Sequence, residues 1–84
     1  MTVQVRLFAI LRERAGRESI ELELHDGATV SDLLRMLRQR GPLSDLIGQM
    51  PVVMAVNRDY ATPATPLHAD DELALIPPVS GGKG

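Results

Sequence analysis

The residues with the clearest chemical potential lie at the end of the chain, in the segment Pro77-Pro78-Val79-Ser80-Gly81-Gly82-Lys83-Gly84. The two prolines end a strand, because each lacks the amide N–H that a sheet requires and holds φ at about −65°. Gly81 and Gly82 have no side chain, so the segment that contains them can enter a channel that is too narrow for bulkier residues. The chemistry that such a segment offers is that of a C-terminal carboxylate.

The remaining side chains offer little to a catalytic mechanism. The chain has no cysteine, which excludes disulfides and thiol catalysis. His25 and His68 lie far apart in sequence and have no third ligand at the spacing of a metal site. The run Asp70-Asp71-Glu72 is typical of a solvated turn before a strand, and Ser80 has no neighbouring base to activate it. We therefore predict that the chain binds neither a metal nor a cofactor.

Length and composition indicate a single small domain. The chain has 84 residues, of which 44% are apolar, and a formal net charge of −2. This balance gives no reason to expect nucleic-acid binding, and no apolar run approaches the length of a membrane span. We predict a soluble, cytoplasmic domain over residues 1–78, followed by a flexible tail over residues 79–84.

Strand patterns recur along the chain. Residues 2–9 and 18–25 alternate between apolar and polar side chains, residues 51–56 form a short apolar run, and residues 72–76 form the last strand. Asn57-Arg58-Asp59 reads as a hairpin turn that returns through Tyr60 and Ala61. In the first two strands the side chains expected to face inward are Val3, Val5, Leu7, Ile20, Leu22 and Leu24.

The sequence predicts one main helix. Thr29 is an expected N-cap, with Asp32 three residues later in the manner of a capping box. Apolar residues then recur at helical spacing until Gly41-Pro42 ends the helix; they are Val30, Leu33, Leu34 and Leu37. A shorter helical piece is predicted over residues 43–49. Residues 10–17 are predicted to be a turn with no more than one turn of helix.

The order of these elements predicts an α+β fold of the β-grasp (ubiquitin-like) type. Its mixed sheet has four or five strands, with the main helix on one face and the first and last strands adjacent in the middle. One helix cannot cover both faces of the sheet, so one face stays open. By strand parity, Phe8, Ala74 and Ile76 point to the open face, and Tyr60 can join them. Either these residues form a partner surface rimmed by charge, or they are ordinary exposed residues at strand ends.

Several motifs occur in a consistent order and together span nearly the whole chain. They are Phe8-Ala9-Ile10-Leu11-Arg12-Glu13 with Gly16 after it, Thr29-Val30, Ala55-Val56-Asn57, and Asp71-Glu72-Leu73-Ala74-Leu75-Ile76-Pro77-Pro78-Val79-Ser80-Gly81-Gly82. In these motifs the chain resembles the ubiquitin-like sulfur carriers, and most closely the small-subunit family of molybdopterin synthase. The Pro-Pro-Val-Ser ending favours this family over the carriers that serve thiazole synthesis.

The resemblance implies a mechanism at Gly82. Its carboxylate is adenylated by an ATP-using enzyme of the ubiquitin-activating type, and a sulfur donor protein converts it to a thiocarboxylate. Gly81 then gives the tail clearance to enter the large synthase subunit, where the sulfur passes to a pterin precursor. In this family two small and two large subunits form a heterotetramer, and the catalytic residues belong to the large subunit.

The resemblance also implies which residues meet the partners. Phe8, Tyr60 and Ile76 align with apolar docking positions, and Arg12 lies in the motif beside them. Arg12 and Glu13 pair either with a partner or with each other. The segment that leads the tail into the partner consists of Pro77, Pro78, Val79 and Ser80.

The chain departs from the family after Gly82, because Lys83 and Gly84 follow it and a thiocarboxylate requires a free C-terminus. Three explanations compete: a peptidase removes the dipeptide, the two residues do not belong to the natural chain, or Gly84 is itself the reactive end. Two other functions also stay open. One is a sulfur carrier for thiazole or transfer-RNA thiolation, and the other is a β-grasp protein modifier or docking module that carries no sulfur.

Overall fold

The computed structural model describes residues 1–39, 41, 43–49 and 51–78. The tail predicted over residues 79–84 lies outside these residues. The described residues form, in order, β1 (Thr2–Leu7), α1 (Ala9–Ala15), β2 (Ser19–Glu23), α2 (Val30–Gln39), α3 (Ser44–Gln49), β3 (Val53–Val56), β4 (Asp59–Tyr60) and β5 (Glu72–Ile76). None of their helices is both long and apolar enough to cross a membrane.

The strands form one mixed sheet in the order β2-β1-β5-β3-β4. The neighbouring interior strands β1 and β5 run parallel, and every other neighbouring pair runs antiparallel. The first and last strands are therefore adjacent in the middle of the sheet, as predicted. Val5 of β1 lies opposite Leu73 of β5, and both side chains are fully buried, at 0% exposure.

Helix α2 covers one face of this sheet. It begins at the predicted cap: Thr29 N–H donates to Asp32 Oδ2 at 2.9 Å, and Asp32 N–H donates to Thr29 Oγ1 at 3.4 Å. The bond from Thr29 N–H is the main reason that the pKa of Asp32 lies below its ordinary value. Leu33 and Leu37 of α2 belong to the same buried cluster as the inward strand residues, whereas Leu34 is only half-buried.

The segment between β1 and β2 is more ordered than predicted. Strand β1 ends at Leu7 instead of Ala9, because Ala9 has a positive φ of 52° and cannot continue an extended chain. Instead of no more than one turn of helix, α1 follows over seven residues. It is held by Leu11, which is fully buried, and by Gly16, which adopts φ 74° and donates its N–H to Arg12 O at 2.9 Å.

The second strand is also shorter than predicted, since β2 spans Ser19–Glu23 instead of residues 18–25. Two of its expected inward residues, Ile20 and Leu22, are half-buried and only Leu24 is buried. The reason is position: β2 is the outermost strand beside β1, so fewer neighbours cover its side chains. The predicted second helical piece is present as α3, whose residue Ile47 is buried.

Candidate docking face

The sheet has a second face, which points away from α2. Side chains alternate along a strand, so the residues between the buried ones share this face. Ala55 illustrates the division: it is buried to 8% exposure but does not belong to the core cluster that α2 completes. We call this surface the open face.

Strand register arranges the open face in rows. At the end of the sheet where β1 and β5 finish, Val53 of β3 lies directly opposite Ile76 of β5. Phe8 follows Leu7, which pairs with Leu75, so Phe8 extends the same row on the β1 side. Phe8 and Val53 are exposed to 37% and 43%, and Ile76 is half-buried. This row is therefore apolar and accessible across three neighbouring strands.

A second row crosses all five strands. Arg6 lies opposite Ser19 on one side and Ala74 on the other, Ala74 lies opposite Ala55, and Ala55 lies opposite Tyr60. The two alanines form a low floor between Arg6 and Tyr60, whose side chain is 88% exposed. We call the set Phe8, Val53, Ala55, Tyr60, Ala74 and Ile76 the apolar patch.

Polar residues occupy the rows at the opposite end of the open face. Gln4 lies between Glu21 of β2 and Glu72 of β5, and Thr2 lies opposite Glu23. The open face is therefore divided into an apolar end and an acidic end. Arg6 lies between them, in the row that also contains Tyr60.

Tyr60 is held on this face by a tight hairpin. Asn57 and Arg58 have positive φ values of 50° and 75°, the backbone of a two-residue turn that matches strand twist. The Asn57 side chain connects this turn to β5: its Nδ2 donates to Asp71 Oδ1 at 2.9 Å, and its Oδ1 accepts from Glu72 N–H at 3.0 Å. The hairpin turn predicted at Asn57-Arg58-Asp59 is thus present, with Asp59 already in β4.

Asp71 is the anchor of this connection. Partial burial acts to raise its pKa, but the hydrogen bonds from Asn57 Nδ2 and from His68 N–H, at 2.7 Å, outweigh it, so the pKa of Asp71 lies below its ordinary value. The carboxylate is therefore ionised while it holds the turn. The turn before β5, which contains His68 and Asp71, is therefore a structural support for the open face.

Strand β5 ends at the apolar patch and leads directly towards the tail. Pro77 is buried and Pro78 is exposed, so only the second proline is available to a partner. The predicted contacts Val79 and Ser80, and the predicted reactive residues Gly81 and Gly82, lie outside the described residues. The last described residues, Pro77 and Pro78, directly follow Ile76, which lies opposite Val53.

The remaining residues that sequence analysis considered lie outside the apolar patch. Arg12 is exposed on α1, four residues after Phe8, and Glu13 beside it is also exposed. Each histidine lies 3.7 Å from one carboxylate oxygen, His25 from Asp32 and His68 from Asp71. Among the described residues no group of three potential metal ligands occurs.

Val53 and Ile10 are exposed apolar residues that sequence analysis missed. Ile10 is 39% exposed on α1. Val53 was hidden because residues 51–56 form a nearly continuous apolar run, in which parity does not tell the two faces apart. The pairing of Val53 with Ile76 is what assigns it to the open face. The open face thus offers an accessible apolar surface beside the end of β5.

Comparison with known proteins shows which family this chain resembles. Residues 5–82 match the ThiS family. The molybdopterin synthase sulfur carrier subunit of Chlamydomonas reinhardtii is 39% identical over 84 residues, which cover 98% of this chain and 100% of that protein. The chain therefore belongs to the ThiS family.

Two solved structures are similar over almost the full length. The crystal structure of SAMP1, a small archaeal modifier protein from Haloferax volcanii, has a TM-score of 0.84 and 31% identity, and the match covers 98% of this chain and 100% of that one. In a protein–protein complex of subunits 1 and 2 of molybdopterin-converting factor from Helicobacter pylori, a chain has a TM-score of 0.70 and 26% identity, with coverage of 98% and 100%.

Proposed function

We propose that this protein is the sulfur carrier subunit of a molybdopterin synthase. The observation that carries the proposal is the continuity of the apolar patch with the end of β5: Ile76 lies in the patch, and the predicted tail with its two glycines starts three residues later, at Val79. A protein that grips the patch therefore receives the tail. The relatives that bear this name, and the two-subunit complex among the solved structures, support the same assignment.

The chemistry takes place at the Gly82 carboxylate. A carboxylate is a poor electrophile because its leaving group is oxide, so an adenylating enzyme first uses ATP to form the acyl adenylate and releases pyrophosphate. Sulfide supplied by a sulfur donor protein then attacks the acyl carbon and expels AMP, which leaves a thiocarboxylate. The sulfur remains tethered to the carrier, so its effective concentration at the partner's active site is high.

The carrier contributes positioning, and its partners contribute catalysis. The large synthase subunit covers the apolar patch, and Gly81 lets the tail reach the pterin precursor. Two carriers and two large subunits assemble as a heterotetramer in the cytoplasm. Since Lys83 follows Gly82 in the sequence, a free carboxylate at Gly82 requires cleavage of the peptide bond between them.

The decisive test is the intact mass of the untagged protein isolated from its own host. We expect a chain that ends at Gly82, with a fraction made heavier by the replacement of one oxygen by sulfur. A deletion of Gly81 and Gly82 is the matched control: it should abolish the sulfur-bearing species and sulfur transfer while the thermal unfolding of the domain is unchanged. A full-length chain ending at Gly84 without sulfur would contradict the proposal.

A second candidate is a protein modifier, and the similarity to SAMP1 favours it. In that case the activated glycine carboxylate acylates an amine on another protein, with loss of AMP and formation of an amide bond. Mass spectrometry of conjugates separates the two functions. A modifier leaves a glycine-terminated remnant on lysines of other proteins, whereas a dedicated carrier leaves none.

A further inference from the structure

Arg6 is a cation on the open face of the sheet. It is exposed, and it is the one lysine or arginine within the five strands. Its Cζ lies 5.6 Å from the centroid of the Phe8 ring, so the guanidinium leans towards the apolar end of the open face. No carboxylate of the described residues forms an ion pair with it.

The position of Arg6 is set by the rows of the sheet. Its neighbours in the row, Ser19 and Ala74, are small and neither shields it nor carries a charge. Glu72 and Glu21 lie one row away, opposite Gln4, and diagonal neighbours of this kind are about 7–8 Å apart between Cα atoms. The Arg6 guanidinium lies beside the Phe8 ring and pairs with neither Glu21 nor Glu72.

A partner that covers Phe8 therefore also covers Arg6. Removing a guanidinium from water is unfavourable unless an acceptor replaces the lost hydration, and a carboxylate is the acceptor that matches its two-pronged geometry. Because no carboxylate of the described residues pairs with this guanidinium, we expect the partner to supply the acceptor. The partner surface that covers Phe8 is therefore expected to carry this acceptor as well.

We propose that the partner protein that docks on the apolar patch places an Asp or Glu carboxylate against Arg6. The partner surface has an apolar portion that fills the floor formed by Ala55 and Ala74, with the carboxylate beside it on the β1 side. Such a pair selects among apolar partners, because a surface without the acid leaves Arg6 buried and unpaired. The inference rests on the proposed function, which supplies the large synthase subunit as the partner to test.

The experiment measures the affinity of the large synthase subunit from the same organism for variants of this protein. Arg6→Gln, which keeps hydrogen-bond donors but removes the charge, should weaken binding about tenfold or more, and Arg6→Glu should weaken it further. Arg6→Lys should recover much of the affinity. Arg38→Gln, which removes a similar charge from the exposed surface of α2, is the matched control and should leave binding unchanged.

Ionic strength adds a readout that a purely structural role of Arg6 would not move. The affinity of the unmodified protein should fall as salt rises, and the Arg6→Gln variant should show a shallower dependence. Equal salt dependence in the two proteins, or equal affinity of Arg6→Gln and Arg38→Gln, would overturn the inference.

Tyr60→Ala separates this inference from the proposed function. If Tyr60→Ala weakens binding and Arg6→Gln does not, the docking face stands and the carboxylate is wrong. If the large subunit binds all of these variants as it binds the unmodified protein, both the docking face and the carboxylate are wrong. Thermal unfolding of each variant confirms that a loss of affinity is not a loss of fold.

Discussion

The two faces of the sheet are built from the same strands and differ in almost every other respect. On the covered face, Val5, Leu73 and Leu75 are fully buried beneath α2. On the open face, one residue further along each strand, Arg6, Ala74 and Ile76 retain contact with water. The comparison teaches that the covered face forms the core of the molecule, whereas the open face leaves side chains accessible to a partner because α2 covers only one side of the sheet.

The largest effect on this comparison is expected from truncating a covered residue. Leu73→Ala removes buried methyl groups at the centre of the sheet, and it should lower the free energy of unfolding by about 2–5 kcal/mol. Val53→Ala on the open face is the matched control and should change it by no more than about 0.5 kcal/mol. Chemical denaturation of both variants measures the difference. Similar losses in the two would show that the open face also carries the fold.

An acidic substitution on the open face tests whether that face binds a partner without contributing to the stability of the fold. Phe8→Asp places a charge in the apolar patch, and it should weaken binding of the large synthase subunit at least tenfold because the contact must then bury an ionised carboxylate. Its thermal unfolding should stay close to that of the unmodified protein. Unchanged co-purification with the large subunit would remove the patch from the docking surface.

A smaller effect is expected at Asp71, which connects the turn before β4 to the start of β5. Asp71→Asn keeps one acceptor oxygen of the two that receive bonds from Asn57 and His68, so it should destabilise the protein by about 1–3 kcal/mol at neutral pH. The exposed Asp70→Asn is the control, with an expected change below about 0.5 kcal/mol.

The effect of Asp71→Asn should depend on pH in a defined direction. The pKa of Asp71 is lowered in the folded protein from its ordinary value of 3.8, so the ionised group stabilises the fold above pH 3.8. This contribution is lost as the pH falls from that value through the lower folded pKa. The stability difference between Asp71→Asn and the unmodified protein should therefore shrink below pH 3.8, and a difference that persists in acid would contradict the role of the carboxylate.

The smallest effect is expected at the start of the helix that covers the sheet. Thr29→Ala removes the Oγ1 that accepts the N–H of Asp32 at 3.4 Å, and should cost about 0.5–2 kcal/mol of stability. Ser31→Ala, in the first turn of α2, is the matched control. If the two alanine variants unfold at the same temperature, the cap does not stabilise α2.

Much of the fold was predictable because its signals are local. The capping box at Thr29, the spacing of Leu33 and Leu37, and the turn at Asn57-Arg58 depend on residues close together in the chain, and all are present. The segment over α1 was predicted less well. Its helix is stabilised by burying Leu11 in a core assembled from distant strands, which no local pattern reveals.

The candidate site was predictable in part for the same reason. Alternation alone indicated that Phe8 and Ile76 share a face away from the core, and the position of Tyr60 after a tight turn suggested that it joins them. Val53 was missed, and Pro77 was expected to be a contact although it is buried. The assignment of Val53 to the open face depends on which strands are neighbours, and the burial of Pro77 depends on how the end of β5 packs.

The sequence by itself determined the order of the elements, the alternation that gives the sheet two unlike faces, and a glycine-ended segment directly after the last strand. Only the tertiary structure decided that Phe8, Ile76 and Val53 form one row, and that Arg6 shares a row with Tyr60. The physical reason is the range of the interactions. Alternation follows from the geometry of a single strand, whereas register between β1, β5 and β3 joins residues far apart in the chain through hydrogen bonds that form only when the core does.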